Sequence, residues 1–398
     1  MDAYFKSEGF DTIGFEESVW VRPAGGKYDE DIVVSAHVDD CLLSCKSLEV
    51  MAKFKADLLS RFVGTDEGEV TEYLGCELVR DRKQRTGHLV QAGYAERVLR
   101  AFDMWNCHPV ATPMDATTRL SKADCPSVVD PHVHRKYRSI VGCISYLVNM
   151  TRPDLAFSYS QLSKFLQCPG DAHLAAAYRV LAYVRGTVNQ GIYFHDPGPG
   201  KRNVLSGWVD SDFASDVDTR KPVTGYLLSL NGGPVSWKAA RQGGVTLSSS
   251  EAEFVAASQA GKEVLYLRAL LKGLAHPQRK PTELWEDNAS CILMSENPTN
   301  RERSRHVDVR VHFLRDMVRD GAVKLVKCAG TRNVADALTK SLPKPAFHAH
   351  REYLRGTAMS FSAFYAAASS APVVAFVSRV TKGNQVYFSK PSDMCSGG

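Results

Sequence analysis

Apolar positions along this chain change their period twice. Up to about Leu78 they alternate with polar ones in the manner of strands, as around Ile32-Val33-Val34 and Cys41-Leu42-Leu43. A helix interrupts them near Leu48 to Phe62, where Met51, Phe54 and Leu58 recur at helical spacing and define a core face. Tyr94 to Met104 predicts a second amphipathic helix. Ala111 to Asp130 is polar and carries Pro, Thr and Ser, the composition of a linker. Helical spacing resumes over Arg135–Val148, Asp154–Leu166 and Ala172–Gly186, with Pro153 and Pro169 as punctuation. From Asn203 the period becomes two. Val204–Asp210, Gly225–Leu230 and Val235–Lys238 predict a three-strand meander turning at Asn231-Gly232-Gly233. A long helix follows from Ser249 to about Leu274, then strands at Thr282–Glu286 and Val323–Cys328 around an Arg-rich helix at His306–Asp320. The second half is therefore expected to be α/β with a mixed sheet.

A chain of 398 residues exceeds what one core usually supports, so two or three domains are expected. The net charge of +5 permits a nucleic-acid partner without demonstrating one. Ten cysteines are scattered with no Cys-x-x-Cys pair, which reads as buried free thiols in a reducing compartment rather than zinc or disulfide frameworks. Met1 is followed by acids and aromatics, not by the basic and apolar run of a secretory signal. The expected location is intracellular, cytoplasmic or nuclear. Thr357 to Ser378 carries no charge and matches the roughly 20 residues that span a bilayer. It is built largely of Ala and Ser with Pro372 inside, so no membrane segment is expected and the tail reads as disordered.

Four carboxylates stand in contexts that suit a metal site: Asp210 at a strand end, Glu251 at a helix start, Asp287 after a strand and Asp336 before a short helix. Divalent-metal hydrolysis of a phosphodiester needs such a cluster of hard oxygen ligands. Each acid also has a plainer alternative: Asp210 could simply end a strand as it enters a loop, and Glu251, Asp287 and Asp336 could cap helices. Ser248-x-x-Glu251 and Ser250-x-x-Glu253 are both candidate capping boxes, so one glutamate could cap while the other binds metal.

These acids lie in a run of motifs from Gly207 to Pro343: Asp218-Thr219-Arg220-Lys221-Pro222, Gly232-Gly233-Pro234-Val235-Ser236-Trp237-Lys238, Leu247-Ser248-Ser249-Ser250-Glu251-Ala252-Glu253, His306-Val307-Asp308-Val309-Arg310 and Ala335-Asp336-Ala337-Leu338-Thr339-Lys340. The run resembles the ribonuclease H domain of copia-type long-terminal-repeat retrotransposon Pol polyproteins. Upstream, Ser35-Ala36-His37-Val38-Asp39-Asp40 is similar to the Tyr-Val-Asp-Asp hairpin of a reverse transcriptase palm, with His37 in place of the Tyr. Tyr73-Leu74-Gly75, Thr151-Arg152-Pro153-Asp154 and Tyr183-Val184-Arg185-Gly186-Thr187 are further marks of that polyprotein.

The resemblance implies a partial reverse transcriptase palm over residues 1–92, a helical thumb and connection over 93–202, a ribonuclease H-like mixed sheet with flanking helices over 203–343, and a tail over 344–398. It implies that Asp210, Glu251, Asp287 and Asp336 hold two Mg²⁺ ions, with Mn²⁺ as a substitute, across the RNA strand of an RNA–DNA hybrid. Family position selects Glu251 over Glu253. Arg220, Lys221, Lys238 and Arg241 are the expected phosphate contacts, and Arg301, Arg303 and Arg305 read as a solvated run. Asp39 and Asp40 would be a remnant polymerase metal pair. The family's third palm carboxylate lies far upstream, and Asp2 and Asp11 occupy no matching context. Polymerisation by this chain alone is therefore not expected, and a missing upstream polyprotein segment or another polyprotein subunit would be its partner. The expected function is Mg²⁺-dependent hydrolysis of hybrid RNA; the alternative is a non-catalytic nucleic-acid-binding remnant. The segment 203–345 is expected to fold by itself.

Overall fold

The computed structural model describes residues 1–213, 216–296, 308–357 and 373–381. At the N-terminus, helix α1 (Asp2–Ser7) precedes strands β1 (Asp11–Thr12), β2 (Val19–Arg22), β3 (Ile32–His37) and β4 (Asp40–Cys45), then helix α2 (Leu48–Arg61) and strand β5 (Val63–Glu69). The predicted hairpin is present: His37 pairs with Asp40, leaving Val38 and Asp39 as a two-residue turn with Val38 at φ +55°. Ser47 caps α2 by accepting from the Val50 amide at 3.3 Å. The helix lays Met51, Phe54 and Leu58 on Ile32, Val34 and Leu43, with Phe5, Phe10 and Trp20 closing this core.

Strands β6 (Glu72–Tyr73), β7 (Cys76–Asp81) and β8 (Thr86–Val90) lead into helices α3 (Ala92–Ala101), α4 (Pro131–Met150), α5 (Ala156–Ser163) and α6 (Asp171–Arg185), after which β9 (Gly191–Phe194) returns to pair with β8. Only glycine fits at 191, because a Cβ there would lie 1.9 Å from the Leu89 carbonyl oxygen. The polar segment read as a linker is irregular, but it sinks Met114 and Leu120 into the helical core.

That core holds a fully buried ion pair. The Arg152 guanidinium donates to both Asp154 oxygens at 2.9 and 2.8 Å, and to the Thr187 carbonyl and hydroxyl at 3.1 and 2.8 Å. Tyr183 completes the network by donating to Asp154 at 2.7 Å. Two motifs some thirty residues apart thus form one structural unit.

The remaining sheet contains β10 (Ser206–Asp212), β11 (Val223–Leu230), β12 (Gly233–Arg241), β13 (Thr282–Glu286) and β14 (Val323–Lys327), in the spatial order β12-β11-β10-β13-β14. The first three form the predicted antiparallel meander, whereas β10, β13 and β14 run parallel. Alternation assigns the two faces. Val209, Tyr226, Leu228 and Leu284 meet helix α7 (Ser249–Gly273), backed by α8 (Ala289–Glu296) and α9 (Asp308–Arg319). Leu227, Trp208, Trp237 and Ala239 meet α4–α6, and Trp237 donates to the Val148 carbonyl at 2.9 Å.

The tail differs from expectation. Beyond the short helix α10 (Asp336–Thr339), residues 344–354 form helix α11 (Lys344–Leu354), which buries Phe347 and Leu354 in the helical core. Those two residues lie seven apart on one helical face, enough apolar surface to order a segment read as disordered. Val373–Thr381 forms a further strand, β15, pairing antiparallel with both β4 and β5. Among the described residues, no helix is long and apolar enough to cross a membrane.

The independent folding expected of residues 203–345 is also revised, because that cut strips α4–α6 and most of α11 from one face of the sheet. Exposing Trp208, Leu227 and Trp237 together creates an apolar patch of the kind that drives association. A fragment of residues 203–345 is expected to aggregate or melt non-cooperatively, while residues 92–357 give a cooperative thermal transition. Calorimetry on the two fragments checks this, and equal cooperativity would show that the helical layer is dispensable.

Candidate metal centre

Parallel pairing brings β10 and β13 out at the same end of the sheet, with Trp208 opposite Trp285. Two residues further on, Asp210 and Asp287 project at the C-terminal ends of neighbouring strands, where open α/β sheets present ligand groups. From α7, Glu253 turns into the same place. The ligand oxygens of Asp210, Glu253 and Asp287 all lie within 4.8 Å of one another. Asp336 stands near enough for its charge to act on Asp210. Its carboxylate is also ion-paired with the Lys340 ammonium at 2.9 Å.

Three of the four sequence-selected acids therefore come together, and the fourth, Glu251, does not. Its amide donates to the Ser248 hydroxyl at 3.2 Å, and its carboxylate accepts from the Leu247 amide at 2.7 Å. Glu251 caps the helix. A step of two residues turns a helix by about 200°, so Glu251 and Glu253 cannot face one target. Periodicity did not separate the two: Glu253 heads the buried row Ala256, Ala257, Ala260 and Val264, but Phe254, Val255 and Ser258, on the row that begins at Glu251, are buried as well.

The neighbours fix the acids in place. Asp210 accepts from the Thr339 hydroxyl, and Asn333 reaches the Val209 carbonyl at 2.9 Å. Gly225 stands opposite Asp210 in the ladder; a Cβ there would come within 2.7 Å of Thr339 and 2.9 Å of Leu338. Its bare backbone lets α10 sit directly on β11 and delivers Asp336 and Thr339 to the cluster. Glu286, wholly buried, lies beside the triad and accepts from the Asn288 amide at 2.9 Å. Thr339, Asn333 and Glu286 had no signal in the sequence beyond their proximity to the acids.

Electrostatically this is a site short of positive charge. Burial, with Glu286, Asp210 and Asp287 nearby, pushes Glu253 up to about 11. Burial raises Glu286 to about 8, and burial with the Asp336 charge raises Asp210 to about 6. Burial and Asp210 also raise Asp287. One carboxylate oxygen each of Glu253 and Glu286 is buried without a hydrogen-bond partner. Orphaned carboxylate oxygens beside other acids are costly unless a cation meets them. The donor set is all hard oxygen, with no thiolate or imidazole in the triad, which fits Mg²⁺ or Mn²⁺.

The sign of the pH dependence follows. These carboxyls keep protons in the folded chain that the unfolded chain loses above about pH 4, so stability without metal falls as pH rises through their raised values. A divalent cation binds the ionised form and offsets that loss. Mg²⁺ is expected to raise the melting temperature clearly at pH 8 and little at pH 5. Thermal melts at both pH values read this, and an equal shift at the two would remove the carboxylates as the cause.

The expected phosphate contacts divide. Lys238 is exposed on β12, and Arg220 is exposed at φ +55°. Lys221 instead donates to the Gly243 carbonyl at 2.7 Å. Arg241 lies 3.6 Å from Asp216, which Lys164 also approaches at 2.9 Å. Burial raises Asp216, but Lys164 and Thr219 outweigh it and hold the carboxyl at about 2. Sequence reading missed a groove beside the acids, where Arg119, Lys164 and Lys340 stand with Asp212. Arg301, Arg303 and Arg305 lie outside the described residues.

Asp39 and Asp40 sit at the tip and start of the N-terminal hairpin. Among the described residues, no third acid, histidine or cysteine converges with them on one point. Asp40 instead borders a depression with Glu67, Glu69 and Glu72.

Residues 1–116 match the family model of reverse transcriptase (RNA-dependent DNA polymerase). The chain is 36% identical over 356 residues to the retrovirus-related Pol polyprotein from transposon TNT 1-94 of Nicotiana tabacum, covering 88% of this chain and 26% of that protein. It is 33% identical over 344 residues to the Pol polyprotein from transposon RE1 of Arabidopsis thaliana, covering 84% and 22%. An uncharacterised mitochondrial protein of Arabidopsis thaliana is 33% identical over 236 residues, 58% of this chain and 93% of that protein. The chain spans about a quarter of the length of the Pol polyproteins it matches. With matches running through both halves of its sequence, the chain is homologous to copia-type retrotransposon Pol polyproteins over most of its length and matches the reverse transcriptase family in its N-terminal part.

Proposed function

We propose that this chain hydrolyses the RNA strand of RNA–DNA hybrids through a ribonuclease H-like unit built on β10–β14. The observation that carries the reading is the convergence of Asp210, Glu253 and Asp287, with buried carboxylate oxygens left over for a cation. The sheet order supports it, as does the delivery of Asp336 from a short helix at the same edge.

Asp210, Glu253 and Asp287 would hold Mg²⁺, and Asp336, ion-paired with Lys340, would stand beside them. A bound divalent cation supplies Lewis acidity toward the scissile phosphate and makes a coordinated water more acidic. Thr339 and Asn333 hold Asp210 and its strand in place, so little reorganisation is needed when substrate arrives. Exposed Lys238 and the groove carrying Arg119 and Lys340 offer positive charge to the backbone on either side. Recognition of a hybrid would rest on groove shape and 2′-hydroxyls rather than on base identity.

The test is cleavage of a labelled RNA–DNA hybrid in Mg²⁺, compared with single-stranded RNA and duplex DNA. Asp287→Asn keeps the shape but removes a charge the cation needs, and cleavage is expected to vanish with folding intact by circular dichroism. Parental cleavage by that variant would refute the site. Hybrid binding without cleavage by the unsubstituted chain would favour a non-catalytic binding remnant.

A further inference from the structure

The cysteines invite a different conclusion from the one their spacing suggested. Cys125 ends the short turn Lys122–Asp124 within the polar segment, and Cys168 lies in the turn between α5 and α6. Their sulfurs lie 2.9 Å apart, although 43 residues separate them in sequence. A disulfide bond is about 2.0 Å long, so closure needs a movement of under about 1 Å.

The contact is not an accident of two loose loops, because both turns are locked together around it. The Gly170 amide donates to His173 Nδ1 at 2.9 Å, which leaves Nε2 protonated to donate to the Ser121 carbonyl at 3.1 Å. His173 is fully buried and stacks on Phe165 at 3.9 Å between ring centroids. The Asp124 carbonyl oxygen lies only 2.0 Å from where a Cβ on Gly170 would be, so the two backbones meet directly. The Ser121 hydroxyl accepts from the Ala123 amide at 3.1 Å, and the Asp124 carboxylate accepts from the Ser121 amide at 2.9 Å, so the turn is capped from both ends. Both cysteines are half-buried, open to a small oxidant.

We propose that Cys125 and Cys168 form an oxidation site that closes to an intramolecular disulfide in the presence of a peroxide. One thiol gives up its proton and the thiolate attacks hydrogen peroxide; the O–O bond breaks, a sulfenic acid forms, and the departing hydroxide takes up that proton to leave as water. The second thiol attacks that sulfur, forming the S–S bond and displacing a second water. Two thiols lose two electrons and two protons, and one peroxide is reduced to two waters. The bond closes a loop containing α4 and α5, restricts the unfolded chain and fastens the polar segment to the helical core. The Lys122 amide, in the same turn, donates to the Asp218 carboxylate at 3.0 and 3.1 Å, so the fastened turn also abuts the loop before β11.

The full chain, reduced and then treated with hydrogen peroxide, is digested without reductant and mapped by mass spectrometry. The expected result is a peptide pair joined through Cys125 and Cys168, reversed by dithiothreitol, with the melting temperature of the oxidised chain several degrees above that of the reduced one. Cys125→Ser and Cys168→Ser should each lose both the link and the shift. Oxidation of other cysteines with this pair left reduced, or a link found only between two molecules, would overturn the proposal. So would a melting shift that survives in either variant.

Discussion

Glu253→Gln is expected to lower hybrid cleavage on the order of 100-fold or more, while Glu251→Gln leaves the rate near the parental value. A metal ligand carries several kcal/mol of transition-state stabilisation, and each 1.36 kcal/mol is tenfold in rate. Glu253 is a buried member of the triad, as is Asp210, whereas Glu251 accepts the Leu247 amide at the helix start. A Gln side-chain oxygen can still accept that amide, so little stability is expected to be lost. Steady-state cleavage and thermal melts on both variants separate the roles. The opposite pattern, with Glu251→Gln inactive and Glu253→Gln active, would return the ligand to the position that family resemblance selected.

The largest expected loss of stability lies away from the acids. Asp154→Ala leaves the Arg152 guanidinium buried without its counter-charge, a change that costs about 3–5 kcal/mol. Burial pushes the Asp154 carboxyl up, but Arg152 and Tyr183 outweigh it and hold it below its ordinary range. The pair therefore stabilises the fold above the ordinary carboxylate pKa and fails as pH falls through the lowered value. Asp154→Ala should be largely insoluble or melt far below the parent. The double replacement Arg152→Met with Asp154→Leu should recover much of that loss, because it removes both charges. Failure of the double variant to improve on the single one would show that the hydrogen bonds to Thr187 and Tyr183 matter more than the charge.

The elements were legible where one face of a strand or helix is covered. The Ile32–Cys45 hairpin, the meander from β10 to β12 and α7 all follow from period and turn residues alone. Two things were not. Helix α11 has too few apolar positions to announce itself, and its order depends on Phe347 and Leu354 finding a core built from α4–α6. The choice between Glu251 and Glu253 was open as a capping question, and resemblance then settled it for the residue the helix turns outward. Rows of apolar residues along α7 did not separate them, since positions after both glutamates are buried; the tertiary convergence of Glu253 with Asp210 and Asp287 did. The Cys125–Cys168 contact had no signal, since spacing says nothing about two turns brought together by tertiary packing.

Gly225 bears no atom that could bind, donate or titrate, yet the geometry of the acids depends on it. Asp336 and Thr339 reach Asp210 only because nothing stands between β11 and α10. A methyl group at that position would act on the cluster as a wedge. It would leave every carboxylate in the sequence and change the spacing on which their joint affinity for a cation rests. The chemistry of this edge is thus vulnerable at a residue that no inventory of acids would contain.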